Sequence, residues 1–284
     1  MGDDHLCVVT TAGEVKCLGN NNYNKCGGPA ASYATPRTVP GITGATQVSA
    51  APRYSCAVAS GRVWCWGGAG VDTLGGTPSS TGAVVQVANL TTAVEVRTSP
   101  NSHTCARLMN GSLWCWGENN YEQLGVPYTT TASTATPVQS LGVSAATSLA
   151  VGYNYTCVVD GGALRCWGYV YDTMARTWQL GSVTGVQSVG PTRYGGGCIV
   201  MAGGQPRCWG ENFAGQVGDG STTTRLSLVN VASLSSVTSI SNGSALACAV
   251  TPAGVAWCWG SNASGALGDG TTMGRLTPVE VLRP

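Results

Sequence analysis

Apolar residues occur in short segments along the chain, and turns rich in glycine and serine separate these segments. In the stretch from Cys56 to Cys65, two apolar segments flank the pair Ser60-Gly61. Short strand-forming segments around a two-residue turn of this kind predict a β-hairpin. The same pattern recurs six times along the chain. A run of about 18 apolar residues, which would be needed to span a membrane, is absent from the sequence.

A unit of about 48 residues repeats through the whole sequence. Each unit contains two cysteines nine or ten residues apart, and Trp-Gly follows the second cysteine in five of the six units. The cysteine pairs are Cys7 with Cys17, Cys56 with Cys65, Cys105 with Cys115, Cys157 with Cys166, Cys198 with Cys208, and Cys248 with Cys258. Six units of this length account for the chain, so we predict a single β-propeller repeat domain over residues 1–284.

The cysteine spacing predicts one disulfide across each hairpin. A two-residue turn at Ser60-Gly61 or at Gly161-Gly162 places cysteines nine residues apart opposite each other. Where the spacing is ten, a three-residue turn ending in glycine has the same effect. The alternative is six pairs of buried free thiols in a reducing compartment. Zinc is disfavoured, because the sequence has no Cys-x-x-Cys and its two histidines are not placed to complete sites.

Cys26 is the cysteine left outside these pairs. It lies nine residues after Cys17, and the same offset gives an aliphatic residue in other units, namely Leu74, Leu124, Val217 and Leu267. We therefore expect Cys26 to be a buried free thiol. A nucleophile would need a base nearby, and the sequence indicates none.

Four strands can be assigned to a full unit, and we name them A to D in chain order. Strand A covers residues 45–50 or 237–241, strands B and C carry the two cysteines, and strand D covers residues 137–140 or 278–281. Six such units favour an all-β fold, a β-propeller of six four-stranded blades with one hairpin disulfide per blade. A parallel β-helix is the alternative, but its coils are shorter and lack tight hairpins.

The first blade is predicted to be incomplete, because no strand A precedes Cys7. An open sheet edge invites pairing with another chain. We therefore expect the sequence to be part of a larger chain, or a subunit of an oligomer that completes this blade. A three-stranded first blade with an irregular closure is an equal alternative.

The repeated motif carries a family resemblance. It consists of His/Tyr-x-Cys, Gly-x-x-x-Cys-Trp-Gly-x-Asn, Gly-x-Leu-Gly-Asp-Gly and Pro-Val-x-Val, with its clearest copies at residues 103–125 and 245–281. This pattern resembles the regulator of chromosome condensation repeat family, in a disulfide-containing bacterial-type form, over essentially the whole chain. The resemblance implies a β-propeller. Propellers of that family typically have seven blades, whereas six units are visible here.

Composition and charge narrow the functional classes. Charged residues make up 10% of the chain and the formal net charge is +1, so no basic surface is present to neutralise nucleic-acid phosphates. Six disulfides would point to the extracellular space, the periplasm or the cell surface. The first residues do not form a signal peptide. We therefore expect a mature or trimmed piece of a longer protein, without membrane insertion.

The loops at one end of the predicted blades are rich in Tyr, Trp and Arg. Because strand direction alternates, the A–B and C–D loops share one end and the B–C hairpins share the other. Tyr, Trp and Arg dominate binding hot spots. The candidate ligand-binding residues are Arg53, Tyr54, His103, Tyr153, Tyr155, Tyr169, Tyr171, Arg176, Trp178, Arg193 and Tyr194, and the nearby C–D loops add Tyr23, Tyr121 and Phe213. The alternative is that some of these side chains pack between blades. This applies above all to the position two residues before the first cysteine of a unit, which is occupied by His5, Tyr54, His103 and Tyr155.

Catalysis, cofactors and metals have little support in the sequence. The carboxylates are scattered, and no paired-carboxylate motif, serine elbow or phosphate-binding loop occurs. Asp219 and Asp269 lie in Gly-Asp-Gly sequences, but two carboxylates on separate blades do not supply the six to eight oxygens that calcium takes. We interpret both as turns in which the aspartate bonds its own backbone. The sequence therefore predicts no enzyme, no cofactor and no metal site, with a glycan hydrolase or lyase as a remote alternative.

These features favour a secreted or surface-displayed, non-enzymatic binding module. It would act as an adhesive or recognition head that binds a protein or glycan on a cell surface through its loop face. The alternative is a soluble inhibitor or regulator of another protein, for which the family offers a secreted bacterial β-lactamase inhibitor as precedent. The family also implies nucleotide exchange on a small GTPase or chromatin binding, which six disulfides and a near-neutral composition oppose.

Overall fold

The computed structural model describes residues 4–68, 74–75, 83–100, 103–169, 183–191 and 196–282. In this part of the chain all regular structure is β-strand, apart from a 3₁₀ turn at Asn22–Asn24. Among the described residues, no helix has the length and apolar character needed to cross a bilayer. The chain divides into two compact units, Met1–Thr156 and Cys157–Pro284. Whether the whole chain acts as one domain stays a prediction.

Three sheets lie wholly within unit 1, and a fourth begins there. The strands of the first sheet are β1 (His5–Val9), β2 (Val15–Asn20) and β3 (Ser32–Thr38). Those of the second are β4 (Ala45–Ala50), β5 (Tyr54–Ala59), β6 (Arg62–Gly67) and β7 (Val85–Gln86). Those of the third are β8 (Ala93–Thr98), β9 (His103–Leu108), β10 (Leu113–Glu118) and β11 (Ser133–Gln139). Those of the fourth are β12 (Ala146–Val151), β13 (Tyr155–Asp160) and β14 (Ala163–Gly168), and the unit boundary falls inside β13.

Unit 2 continues with two four-stranded sheets. The strands of the fifth sheet are β15 (Val186–Pro191), β16 (Gly197–Met201), β17 (Pro206–Gly210) and β18 (Arg225–Asn230). Those of the sixth are β19 (Ser239–Asn242), β20 (Leu246–Val250), β21 (Ala256–Gly260) and β22 (Arg275–Glu280). Neighbouring strands in both sheets are antiparallel and follow chain order.

The predicted hairpins are confirmed. Cys56 lies opposite Cys65, and the turn between them has φ 50° at Ser60 and 72° at Gly61. Both values are positive, as a type I′ turn requires. The turn therefore sets the register that brings the two cysteines of this blade together.

The predicted disulfides are confirmed as well, and Cys26 is a buried free thiol, as expected. Each sheet carries one covalent cross-link between the strands that hold its two cysteines. The bridges join Cys7 to Cys17, Cys56 to Cys65, Cys105 to Cys115, Cys157 to Cys166, Cys198 to Cys208, and Cys248 to Cys258. The alternative of six pairs of free thiols is therefore wrong.

The all-β propeller of six disulfide-bonded blades is confirmed, with differences at some strand bounds. Within the described residues the first blade has three strands and lacks strand A, as expected. The outer strand D begins earlier than predicted, at Ser133 in β11 and Arg275 in β22. A shift in register between Cys115 and Gly117 lets β11 continue along β10 until Ser133 lies opposite Glu118. Strand A of the sixth blade, predicted at residues 237–241, is β19.

The recurring Trp-Gly has a structural cause. Trp66, Trp116, Trp209 and Trp259 are among the largest fully buried side chains, and the Trp66 indole donates to the Lys25 carbonyl oxygen (2.8 Å) of the preceding blade. The glycine that follows Trp66 has φ 115°, and a Cβ there would lie 2.7 Å from the Arg53 carbonyl oxygen. The motif therefore fills the space between consecutive blades and brings strand C close to the start of strand B.

Candidate functional site: the loop face of unit 1

The order of strands fixes which loops lie together. Strands A to D are antiparallel neighbours in each four-stranded sheet, so the A–B and C–D loops leave one end of a blade and the B–C hairpins leave the other. Among the described loop residues of unit 1, the first end carries five exposed tyrosine and arginine side chains, which we call the loop face. They are Tyr23, Arg53, Tyr121, Tyr128 and Tyr153.

A buried asparagine sets the shape of four C–D loops among the described residues. The Asn119 side chain is fully buried, and its Oδ1 accepts from the backbone N–H of Leu124 (3.0 Å). Its Nδ2 donates to the carbonyl oxygens of Val126 (3.0 Å) and Thr131 (2.7 Å). Equivalent asparagines with the same pattern of bonds are Asn21, Asn212 and Asn262. In unit 1, Tyr23, Tyr121 and Tyr128 are therefore presented on loops that are hydrogen-bonded from inside.

Tyr23 and Arg53 form a contact between the first and second blades. The Arg53 guanidinium carbon lies 5.5 Å from the centre of the Tyr23 ring, within cation–π range. Tyr23 is 54% exposed and has φ 69°, a backbone conformation that is rare for a bulky residue and clusters at functional sites. A Cβ on Gly68 would lie 2.9 Å from the Cβ of Tyr23, so glycine permits this close approach. The pair is a preformed aromatic and cationic surface.

The A–B loops of the third and fourth blades are also joined. The Ser99 hydroxyl donates to the carbonyl oxygen of Tyr153 (2.9 Å), whose side chain is 37% exposed. Tyr121 and Tyr128 in the third C–D loop are 44% and 45% exposed. Tyr128 was missed in the sequence, although its position in a C–D loop would have indicated it.

Three predicted ligand-binding residues, Tyr54, His103 and Tyr155, have buried side chains that do not reach the surface. The Tyr54 hydroxyl donates to the His103 carbonyl oxygen (2.9 Å), and His103 Nε2 lies 3.1 Å from the Thr156 hydroxyl. His5 Nε2 makes the matching contact with the Ser55 hydroxyl (3.1 Å). At His5, Tyr54 and His103 this position therefore joins one sheet to the next, as the alternative interpretation of it predicted.

Burial sets the protonation of these groups. It lowers the pKa of His103 to about 3. The pKa of His5 is lowered to about 4, mainly by burial and then by the positive charge of Lys25. Burial raises the pKa of the Tyr54 hydroxyl and of the Cys26 thiol. Both histidines are thus neutral near pH 7, and the Cys26 thiol is protonated.

A buried cation lies beneath the Arg53 loop and was not predicted. The Lys25 side chain is 3% exposed, and its ammonium group donates to the Asp4 carboxylate and to the Pro52 carbonyl oxygen (3.0 Å). The lysine follows the short loop that carries Tyr23, so it ties that loop to the one that carries Arg53. Only the spatial proximity of two blades reveals this contact.

The other predicted ligand-binding residues belong to unit 2. Tyr169 is described and is 36% exposed. The remaining candidates lie outside the described residues: Tyr171, Arg176, Trp178, Arg193 and Tyr194. Their role as ligand-binding residues stays a prediction.

The two Gly-Asp-Gly turns of unit 2 are closed by internal bonds. Asp219 Oδ1 accepts from the backbone N–H (3.0 Å) and hydroxyl (2.8 Å) of Ser221, and Oδ2 is paired with Arg225. Asp269 makes the same contacts with Thr271 and Arg275. Hydrogen bonds from Thr271 and Arg275 lower the pKa of Asp269 to about 2. The turn interpretation is confirmed, and no group of three or more metal-ligating side chains occurs among the described residues.

Comparison with known proteins supports the family resemblance. The sequence model of the Regulator of chromosome condensation (RCC1) repeat matches residues 110–159. Comparison with curated protein sequences gave no match. Among solved structures, human WBSCR16 is similar with 19% identity and a TM-score of 0.83, over 100% of this chain and 80% of that one.

Two further structures share the architecture. Prp20p from Saccharomyces cerevisiae, described together with its binding to Gsp1p and histones, has 18% identity and a TM-score of 0.81 over 100% of this chain and 76% of that one. The CRINKLY WD40 ectodomain of the Arabidopsis thaliana receptor kinase ACR4 has 17% identity and a TM-score of 0.53 over 99% and 80%. At these identities the likeness establishes the fold, an RCC1-like β-propeller.

Proposed function

We propose that this chain is a secreted or surface-displayed, non-enzymatic module that binds a protein partner through the loop face of unit 1. The observation that carries the proposal is the grouping of four exposed tyrosines and Arg53 on loops whose backbones are held by buried side chains. Aromatic and Arg side chains contribute most to protein binding when they are rigid before the partner arrives.

The charge balance and the similar structures support a protein as the partner class. The chain carries 14 Lys and Arg against 13 Asp and Glu, a near-neutral balance that does not favour binding of a nucleic acid. Prp20p is described as binding the proteins Gsp1p and histones. Aromatic rings with a polar tip, such as Tyr23 and Tyr153, suit a protein surface, because they bury a large area with few rotatable bonds.

The disulfides support the proposed location. Six bridges in one chain persist in an oxidising compartment and are rare where glutathione keeps thiols reduced. Each closes a loop of about ten residues and contributes about 2–3 kcal/mol in the chain-entropy model. The ectodomain of a receptor kinase offers an extracellular example of the same fold.

Site-specific photocrosslinking tests the proposal. A photoreactive amino acid replaces Tyr23 or Tyr153 on the loop face, or Met109 in a B–C hairpin as the matched control, since Met109 is 75% exposed. Each disulfide-intact variant is incubated with the secreted and surface proteins of its native host. We expect one discrete protein adduct at Tyr23 and Tyr153 that Met109 does not give.

Two results would contradict the proposal. One is an equal pattern of adducts from the loop face and from Met109, which would mean that the loop face is not selective. The other is an adduct that disappears after enzymatic removal of glycans from the host proteins, which would indicate glycan recognition instead of a protein contact.

A further inference from the structure

The outer strands of the blades differ in how their free edges are protected. An unpaired strand edge pairs with other chains unless proline, charge or shortness prevents it. Within the described residues, three outer strands carry a proline just before the residue that pairs with the second cysteine of the blade. They are β3 with Pro36, β11 with Pro137 and β22 with Pro278.

The two other described outer strands lack this proline. Strand β7 is only two residues long, so it offers little edge. Strand β18 runs for six residues, and Leu228 occupies the proline position, because its neighbour Val229 pairs with Cys208. Of the outer strands that the structure describes, β18 alone is both long and free of proline.

The backbone of β18 presents hydrogen-bonding groups outward. The N–H of Val231 donates to the Pro206 carbonyl oxygen (3.2 Å), toward β17. Alternate residues of an antiparallel strand direct their N–H and C=O groups to opposite sides, so Leu228 and Asn230 direct theirs away from β17. The prolines of the other blades agree with this, since a residue without an N–H is tolerated only where the inner ladder does not use that group.

The side chains of β18 allow a second copy to approach. No residue from Leu226 to Asn230 is charged, and Leu226 is 70% exposed. Arg225, at the start of the strand, is already neutralised by Asp219. Strands β3 and β22, by contrast, carry Arg37 and Glu280 within two residues of their prolines. Two copies related by a two-fold axis at Leu228 would align donors with acceptors and meet no like charges.

We propose that two copies of this chain associate through antiparallel pairing of β18 with β18, which joins their fifth sheets. This contact is separate from the loop face of unit 1 and does not depend on the function proposed for it. The dimer buries the outward N–H and C=O groups of Leu228 and Asn230 in a shared ladder, and it removes the exposed edge of the fifth blade.

Sedimentation velocity over a dilution series from about 1 to 200 μM tests the pairing. We expect a monomer–dimer equilibrium with no larger species. Leu228→Pro gives β18 the residue that β22 already carries at this position, so the sheet should still fold. The substitution removes an N–H donor from the shared ladder, so we expect it to weaken dimerisation at least about tenfold. Leu228→Val keeps that N–H and is the matched control, with dimerisation within about threefold of wild type.

A second variant tests the pairing independently, in case Leu228→Pro does not fold. Leu226→Lys changes an exposed side chain and places a charge on the edge, and it should also weaken the dimer. Hydrogen exchange at the amides of Leu228 and Asn230 should be slower in the dimer than at concentrations where the chain is monomeric. A monomer at every concentration, open-ended aggregation, or a dimer unchanged by both variants would overturn the proposal. So would a monomer that pairs through β18 only with a strand of another protein.

Discussion

Replacement of Asn119 by alanine tests whether the loop face depends on the buried asparagines. The substitution removes one bond from the Leu124 N–H and two to the carbonyl oxygens of Val126 and Thr131. A net hydrogen bond contributes about 1 kcal/mol, and a buried donor left without a partner costs about 1–3 kcal/mol. Because Leu124 is fully buried and its N–H loses its acceptor, we expect Asn119→Ala to lower the free energy of unfolding by about 3 kcal/mol.

The assay is urea unfolding followed by tryptophan fluorescence, with all disulfides intact. Asn120→Ala is the matched control, because Asn120 is the exposed neighbour in the same loop and should change the free energy of unfolding by less than about 0.5 kcal/mol. Asn119→Asp keeps the acceptor for Leu124 but turns a carboxylate oxygen toward two carbonyl oxygens, so it should cost at least as much as alanine near pH 7. A loss below about 1 kcal/mol for Asn119→Ala would refute the reasoning.

Three further predictions follow from the buried groups and the backbone. Gly67→Ala, where a Cβ would lie 2.7 Å from a carbonyl oxygen at φ 115°, should lower the thermal midpoint far more than Gly203→Ala, which has open space around it; equal shifts would contradict this. His103 becomes protonated near pH 6.5 in the unfolded chain but only near pH 3 in the folded chain. This difference in the pKa of His103 should lower the free energy of unfolding by about 2 kcal/mol between pH 7 and pH 5. Urea titrations of wild type and His103→Gln check this, and an unchanged pH slope in the variant would refute it. Alkylation of the denatured, unreduced protein, read by mass spectrometry, should modify Cys26 alone, and any additional labelled cysteine would contradict the disulfide assignment.

Local sequence rules predicted the hairpins because their determinants lie within ten residues. Ser60 and Gly61 both adopt the positive φ that a two-residue type I′ turn requires. This turn fixes the register that brings Cys56 opposite Cys65. The hydrophobic slot of Cys26 was also predictable, since its offset from Cys17 matches that of an aliphatic residue in other units. Repetition made these features visible without any knowledge of how blades pack.

The division of the aromatic residues between surface and interior could not be predicted in the same way. Tyr153 and Tyr155 are two residues apart, yet the first is exposed and the second is buried. Tyr54 shows why such burial depends on the folded chain, since its hydroxyl bonds the His103 carbonyl oxygen of the next blade, 49 residues away. Asn119, the asparagine of the repeated motif, was visible in the sequence. Its hydrogen-bond partners are backbone groups up to 12 residues further on, and their position depends on the folded loop.

The central claim is that the loop face of unit 1 binds a protein, and a titration tests it most directly. The protein captured by crosslinking is titrated by calorimetry into wild type, into a variant with Tyr23→Ala, Arg53→Ala and Tyr153→Ala, and into Met109→Ala. The account predicts that the triple variant binds at least about 100-fold more weakly, a loss of about 2.7 kcal/mol, which is little more than one hot-spot anchor contributes. It predicts that Met109→Ala binds like wild type. Wild-type affinity in the triple variant, or a loss confined to Met109→Ala, would contradict it.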